Sequence, residues 1–127
     1  MMNYTETNKE IAEFMGMKYY SKSQDGSWYR LREGAPDLIH DSAFEYHTSW
    51  KSLMPVVEKI IDYKYDDEPD GTAFLRTFGM KDEHGLYMVR FNRCVLHSAE
   101  TLLNATYMAC LDFIENDMIW HATKTQD

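Results

Sequence analysis

The chain has 127 residues, and its 44% hydrophobic and 14% aromatic shares exclude an intrinsically disordered protein, which needs low hydrophobicity at high net charge. That length suits one domain over 1–127, able to bury roughly two thirds of its unfolded surface around a single core. The net charge of −8 makes nucleic acid an unlikely partner, because such binding draws its affinity from Lys and Arg at phosphates, and no apolar run approaches the ~20 residues of a membrane span.

Taken in order, Thr7 and Glu10 have the spacing of a capping box, which predicts a short helix over about 8–15. Ile11, Phe14 and Met15 form its apolar side, and Gly16 is a left-handed stop. Between 17 and 37 the pattern is weaker. Tyr19 and Tyr20, a turn around Gln24, Asp25 and Gly26, and then Trp28 to Arg32 predict a small hairpin, or one strand beside a loop. Gly34, Ala35, Pro36 and Asp37 should break it, leaving an irregular segment up to Tyr46.

The stretch 46–61 carries the strongest helical signal. Trp50, Leu53, Met54, Val57, Ile60 and Ile61 fall on one face of a 3.6-residue period, and Thr48 or Ser49 can cap the start. Pro55 removes one backbone bond and crowds the carbonyl of Lys51, at roughly 3 kcal/mol. Burial of six large side chains, at about 1.5–3 kcal/mol each, exceeds that, so one helix distorted near Pro55 is expected, with Trp50 buried at its head.

Tyr63 and Tyr65 suggest a short strand before the acidic loop 66–71, which lacks the alternating ligands and distal glutamate of a calcium loop and reads as solvated. Residues 72–79 and 86–95 then alternate as a hairpin. Pairing Met80 with Gly85 sets Phe78 opposite Tyr87, Arg76 opposite Val89 and Phe74 opposite Phe91, gathering aromatics on one face. Ala73, Leu75, Leu86 and Met88 on the other face also need cover. The expected fold class is therefore α+β: an α/β/α sandwich, a small mainly antiparallel sheet with helices on both faces. Ser98 should cap the last helix, over about 98–116, with the stripe Ala99, Leu102, Leu103, Thr106, Ala109, Cys110, Phe113 and Ile114.

Residues 46–60, and within them Tyr46, Thr48, Ser49, Trp50, Val56, Val57, Glu58 and Lys59, are similar to a motif of small uncharacterised proteins of gut bacteria and their prophages, and so resemble the phage ABA sandwich domain. Ile11 to Gly16 resembles the short first helix of such proteins. The resemblance implies an α/β/α sandwich and brings no reaction, cofactor or catalytic residue.

His47 lies just before a helix start, where free N–H groups favour an anion, so Tyr46, His47, Thr48 and Trp50 are the candidate binding residues. The plainer reading has Tyr46 and His47 fixing the chain's approach to the helix by packing and a side-chain bond. The other histidines, at 40, 84, 97 and 121, have no metal-ligand spacing, and no phosphate loop or nucleophile motif occurs, so no cofactor, metal or catalytic residue is expected. Cys94 and Cys110 read as buried thiols, and the absence of a secretory signal at the start makes the cytoplasm the expected compartment. Between 37 and 70 there are nine acidic and three basic residues, six of the eight net negative charges, which suits a basic protein partner. The leading expectation is a noncatalytic accessory protein of phage or mobile-element type acting through protein contacts. The alternative is a small anionic-ligand or nucleotide-binding or -modifying protein using the helix start near His47. Apolar side chains left over on the sheet point to a homodimer.

Overall fold

A computed structural model describes residues 3–19, 27–32, 35–40, 43–63, 73–91 and 94–117. Among the described residues it is an α+β protein with three helices and two three-stranded antiparallel sheets, with helices packed against the second sheet.

Helix α1 spans Tyr4–Phe14 and starts a turn earlier than the capping box suggested. Asn3 is the cap, its side chain accepting the Glu6 N–H at 3.3 Å. Asn serves there as well as Thr, which leaves the Thr7 hydroxyl inside the helix and available to another element. Gly16, at φ +90°, ends the helix as expected. The N–H of Met17 reaches the Ala12 carbonyl and that of Gly16 the Glu13 carbonyl, both at 3.0 Å, which closes the last turn in a Schellman arrangement.

The first sheet pairs β1 (Lys18–Tyr19), β2 (Ser27–Arg32) and β3 (Ala35–His40) in that order. The irregular segment expected after Gly34 is thus partly a strand, with Leu31 opposite Pro36 and Arg32 opposite Ala35. Proline is tolerated because β3 is an outer strand, where a missing N–H need not break a ladder bond. The turn expected at Gln24, Asp25 and Gly26 lies outside the described residues. Trp28 of β2 packs edge-on to Phe44, with ring centroids 6.1 Å apart, in a small core with Ala12 and Met17.

Helix α2 spans Trp50–Ile61 with Ser49 at its cap position, as expected, but the Ser49 side chain makes no cap bond. Thr48 does not cap either, since its hydroxyl donates back to the Glu45 carbonyl at 3.4 Å. The helix continues through Pro55. Its buried face is Leu53, Val56, Val57 and Ile60, whereas Trp50, Met54 and Ile61 are 37%, 38% and 36% exposed. The helix is therefore rotated from the expected stripe, and Trp50 does not head the core. Both flanks of the stripe are apolar, so the sequence period alone does not choose between the two rotations.

Tyr63 is not in a strand, though its carbonyl accepts the Ala73 N–H at 2.9 Å. Tyr65 and the acidic loop lie outside the described residues. The second sheet has the order β4 (Leu75–Lys81), β5 (Tyr87–Phe91), β6 (His97–Ala99). The expected hairpin forms, but its register differs: Phe78 faces Val89, Lys81 faces Tyr87, and register shifts follow Leu75 and Phe78. Gly79, at φ +85°, occupies the second irregularity inside β4 rather than flanking the turn. Asp82 shapes the turn instead, its carboxylate accepting the N–H groups of His84 at 2.8 Å and Leu86 at 3.0 Å. The Leu86 bond chiefly holds the Asp82 carboxyl below its usual range. Val89 and Phe91 are buried, but Phe74 and Phe78 are 46% and 42% exposed, so the aromatic face is only half covered.

Ser98 belongs to β6 and caps nothing. Helix α3 runs Leu102–Asp112 from Thr101, whose hydroxyl accepts the Asn104 N–H at 3.1 Å, and a π-helical turn, Phe113–Asp117, follows it. Ala105, Thr106, Tyr107, Ala109, Cys110 and Leu111 are buried all round the helix. The reason is position: α3 packs on β5 and β6 and is also met by α1 and α2.

Candidate functional site

The four candidate residues around the start of α2 separate into two environments. His47 turns inward. Its Nδ1 lies 3.1 Å from Asn8 Nδ2, and the same amide nitrogen donates to the Phe44 carbonyl at 3.3 Å. A carbonyl can only accept, so Phe44 fixes which end of the Asn8 amide faces it. His47 Nδ1 is therefore an acceptor, and the ring proton of the neutral form is on Nε2.

The other end of the amide is also used. Asn8 Oδ1 accepts the Tyr107 O–H at 2.7 Å, and the Tyr107 oxygen lies 2.6 Å from Thr7 Oγ1. Tyr4 stacks on His47 with centroids 4.3 Å apart and meets Tyr107 edge-on at 5.7 Å. Asn8 is 2% exposed and Tyr107 1%, so this polar clasp joins α1, α3 and the turn before α2 inside the protein. Burial pushes the Tyr107 phenol up to about 12, against the lowering effect of Thr7. The clasp spends Asn8, Tyr107 and one nitrogen of His47 on each other, the arrangement of a structural latch. His47 thus follows the packing reading, with its bond made to α1. Tyr46 is half-buried beside Phe44, at 5.7 Å between centroids, and touches both cores.

Beyond the clasp, the Glu10 carboxyl of α1 approaches that of Glu115 of the π-helical turn closely enough for a hydrogen bond to form once one of them is protonated. Two carboxyls can bond only by sharing a proton. That bond first, then burial and the charges of Glu115, Glu6 and Glu13, push Glu10 from 4.5 up to about 7. At the far end of α3, Asp112 Oδ2 accepts the Val95 N–H at 3.1 Å and lies 2.9 Å from His97 Nε2, while Oδ1 accepts from Asn116 Nδ2 at 2.9 Å. This His–Asp pair braces the chain leading into β6. Cys110 is fully buried, and desolvation raises its thiol well above the usual range, so it is not a poised nucleophile.

Trp50 faces the other environment, an open groove of about 700 Å³. Trp50 and Met54, one turn apart on α2, form one wall. Phe78 of β4 and Tyr87 of β5 contribute the sheet side, and Leu102 and Leu103 the start of α3. The groove exists because α3 covers β5 and β6 while α2 packs against α3. Phe78, on the outer strand, is left 42% exposed. Among the described residues, polar lining is confined to Glu100 and Thr101 at the α3 end.

Of the four candidates, only Trp50 lies in the groove, and Thr48 is exposed on the connecting turn. Asn8 and Tyr107 escaped the sequence reading, although Asn8 sits one turn before Ile11 and Ala12 on the buried side of α1. A polar residue on an apolar stripe was the available signal. Met54 and Phe78 were assigned to the core and so were missed as groove residues. Among the described residues no group of three or more His, Cys, Asp or Glu could hold a metal ion, and no helix is long and apolar enough to cross a membrane. No family model, curated protein or solved structure matches the chain.

Proposed function

We propose that this chain is a noncatalytic accessory protein whose working surface is the apolar groove between α2 and the β4–β5 hairpin, where it takes a protein partner. One observation carries the reading: Trp50 and Met54 stand more than a third exposed beside Phe78 at 42%, in a concavity of about 700 Å³. Apolar concavities of this size are typical binding sites, and Trp is the residue type most often dominant in protein contacts. The polar groups best placed for chemistry, in the clasp and at Asp112, are engaged with one another instead. The resemblance of residues 46–60 to the phage ABA sandwich motif supports a phage or mobile-element setting. The cytoplasm suits Cys94 and Cys110, both buried and neither in a disulfide. A homodimer, if formed, would close this same surface.

The test is capture from a native-host lysate at low and moderate salt, with Trp50→Ala and Phe78→Lys compared with Ile61→Lys, an exposed α2 position that does not line the groove. The expected result is a partner held by the wild type and by Ile61→Lys but lost from both groove variants. No partner above background, or one indifferent to the groove variants, overturns the reading.

A further inference from the structure

Resting on that groove, we propose that its occupant is a basic amphipathic helix of a partner protein, seated by apolar side chains against Trp50, Met54 and Phe78 and by a Lys or Arg at Glu100. Two features of the site select this occupant over an extended strand or a second copy of the chain.

The first is the sheet edge. In the order β4-β5-β6, β4 is an outer strand, and outer strands ordinarily invite strand addition through free main-chain groups. Here the ladder is irregular between Leu75 and Thr77 and again between Phe78 and Met80. Such bulges leave a residue unpaired, bend the strand and break the even spacing of donors and acceptors that an added strand needs. The groove therefore offers side chains more than backbone. A helix makes use of that, because residues at i, i+4 and i+7 form one apolar stripe that can lie along the Trp50–Met54 wall.

The second is charge. Among the described residues, Glu100 is the one charged residue lining the groove, and no ion pair to it forms there. Lys81 of β4 lies across β5 from Ala99, the neighbour of Glu100, two strand spacings or roughly 10 Å away. Its ammonium is held 4.8 Å over the Tyr87 ring. Among the described residues the groove thus has an unpaired carboxylate at its α3 end, and a net charge of −8 steers cations toward the molecule. Two copies of the chain would bring −8 against −8, which disfavours the self-associated alternative.

The experiment is a display selection from a library of helical peptides with fixed Leu at i, i+4 and i+7 and randomised flanks. Enriched peptides are then measured by fluorescence anisotropy against the whole chain and its variants. Enrichment of Lys or Arg at one flank is expected, with affinity falling by more than about tenfold in Trp50→Ala and by roughly three- to tenfold in Glu100→Lys. Exchanging the peptide's basic residue for Glu should restore binding to Glu100→Lys. If enriched peptides need Trp50 but show no basic preference and no charge-swap rescue, the groove reading survives and this inference fails. The inference alone also fails if sedimentation shows a dimer at high micromolar concentration that Trp50→Ala dissociates. If nothing enriches, or binding ignores Trp50→Ala, both fail together.

Discussion

Two sites flanking the start of α2 use opposite materials. At His47 the groups hidden from water are polar: Asn8, Tyr107 and Thr7 are matched donor to acceptor at 2.6–3.3 Å. At Trp50, three residues further on, the groups left toward water are apolar. Burying a polar group is costly unless every donor and acceptor is paired, and once paired it admits one geometry. The clasp therefore specifies how α1 and α3 meet the turn before α2. Exposed apolar area does the reverse, because it is stabilised only by a partner that covers it. Polarity alone would have put Trp50 in the core and Asn8 outside it, whereas Asn8 is 2% exposed and Trp50 37%.

The comparison breaks first if the clasp is not a latch. Asn8→Ala leaves the Phe44 carbonyl and His47 Nδ1 without their amide donor and the Tyr107 O–H without its acceptor, and should cost at least about 3 kcal/mol, at 1–3 kcal/mol for each unsatisfied group. Urea unfolding should show a lower midpoint at an unchanged slope. A loss under about 1 kcal/mol would mean that water replaces the amide and that the site is open. Tyr107→Phe removes only the hydroxyl and should cost about 1–2 kcal/mol. Its effect should be far from additive with Asn8→Ala, since the two side chains share a bond.

A smaller effect concerns acidity. Glu10 holds its proton to about 7 in the folded protein against 4.5 without its neighbours, so between those values the native state binds more protons than the unfolded one. Its stabilising share is full below 4.5 and is lost as pH rises toward 7. The melting temperature should therefore decline across that window by less in Glu10→Gln than in the wild type. Identical pH profiles would show that Glu10 and Glu115 do not share a proton in solution.

Trp50→Ala should cost folding less than Asn8→Ala, about 1–2 kcal/mol in the same urea measurement, because 37% of the residue is already exposed. A loss of 3 kcal/mol or more, the scale of a buried aromatic, would return Trp50 to the core and remove the groove from consideration. Paired with Asn8→Ala, this variant separates the two sites: one should change stability most, the other mainly binding.

Much of this was legible in the chain. The helical periods at 8–15, 46–61 and 98–116, the left-handed Gly16 and the 72–95 hairpin all come from local rules, in which backbone conformation depends on a residue and its near neighbours. Ser49 was found as a cap position for the same reason. What failed was each choice among locally equal options. Asn3 and Thr7 are both good caps, and the Tyr107 hydroxyl took up Thr7 from across a hundred residues. Trp50 and Val56 border the same stripe, and packing in the main core put Val56 inside and left Trp50 37% exposed. The hairpin's alternation allows several registers, and the irregularities around Arg76 and Gly79 selected one.

The sequence by itself determined an acidic α+β chain, the approximate places of its three helices and the second sheet's hairpin, because composition and period act through local sterics and the gross need to bury apolar area. Only the tertiary structure decided that Asn8, Tyr107 and His47 meet, which way α2 is rotated, and that the Trp50 groove stays open. Those outcomes depend on contacts between residues far apart in the chain, whose energies are settled by packing rather than by any stretch read alone.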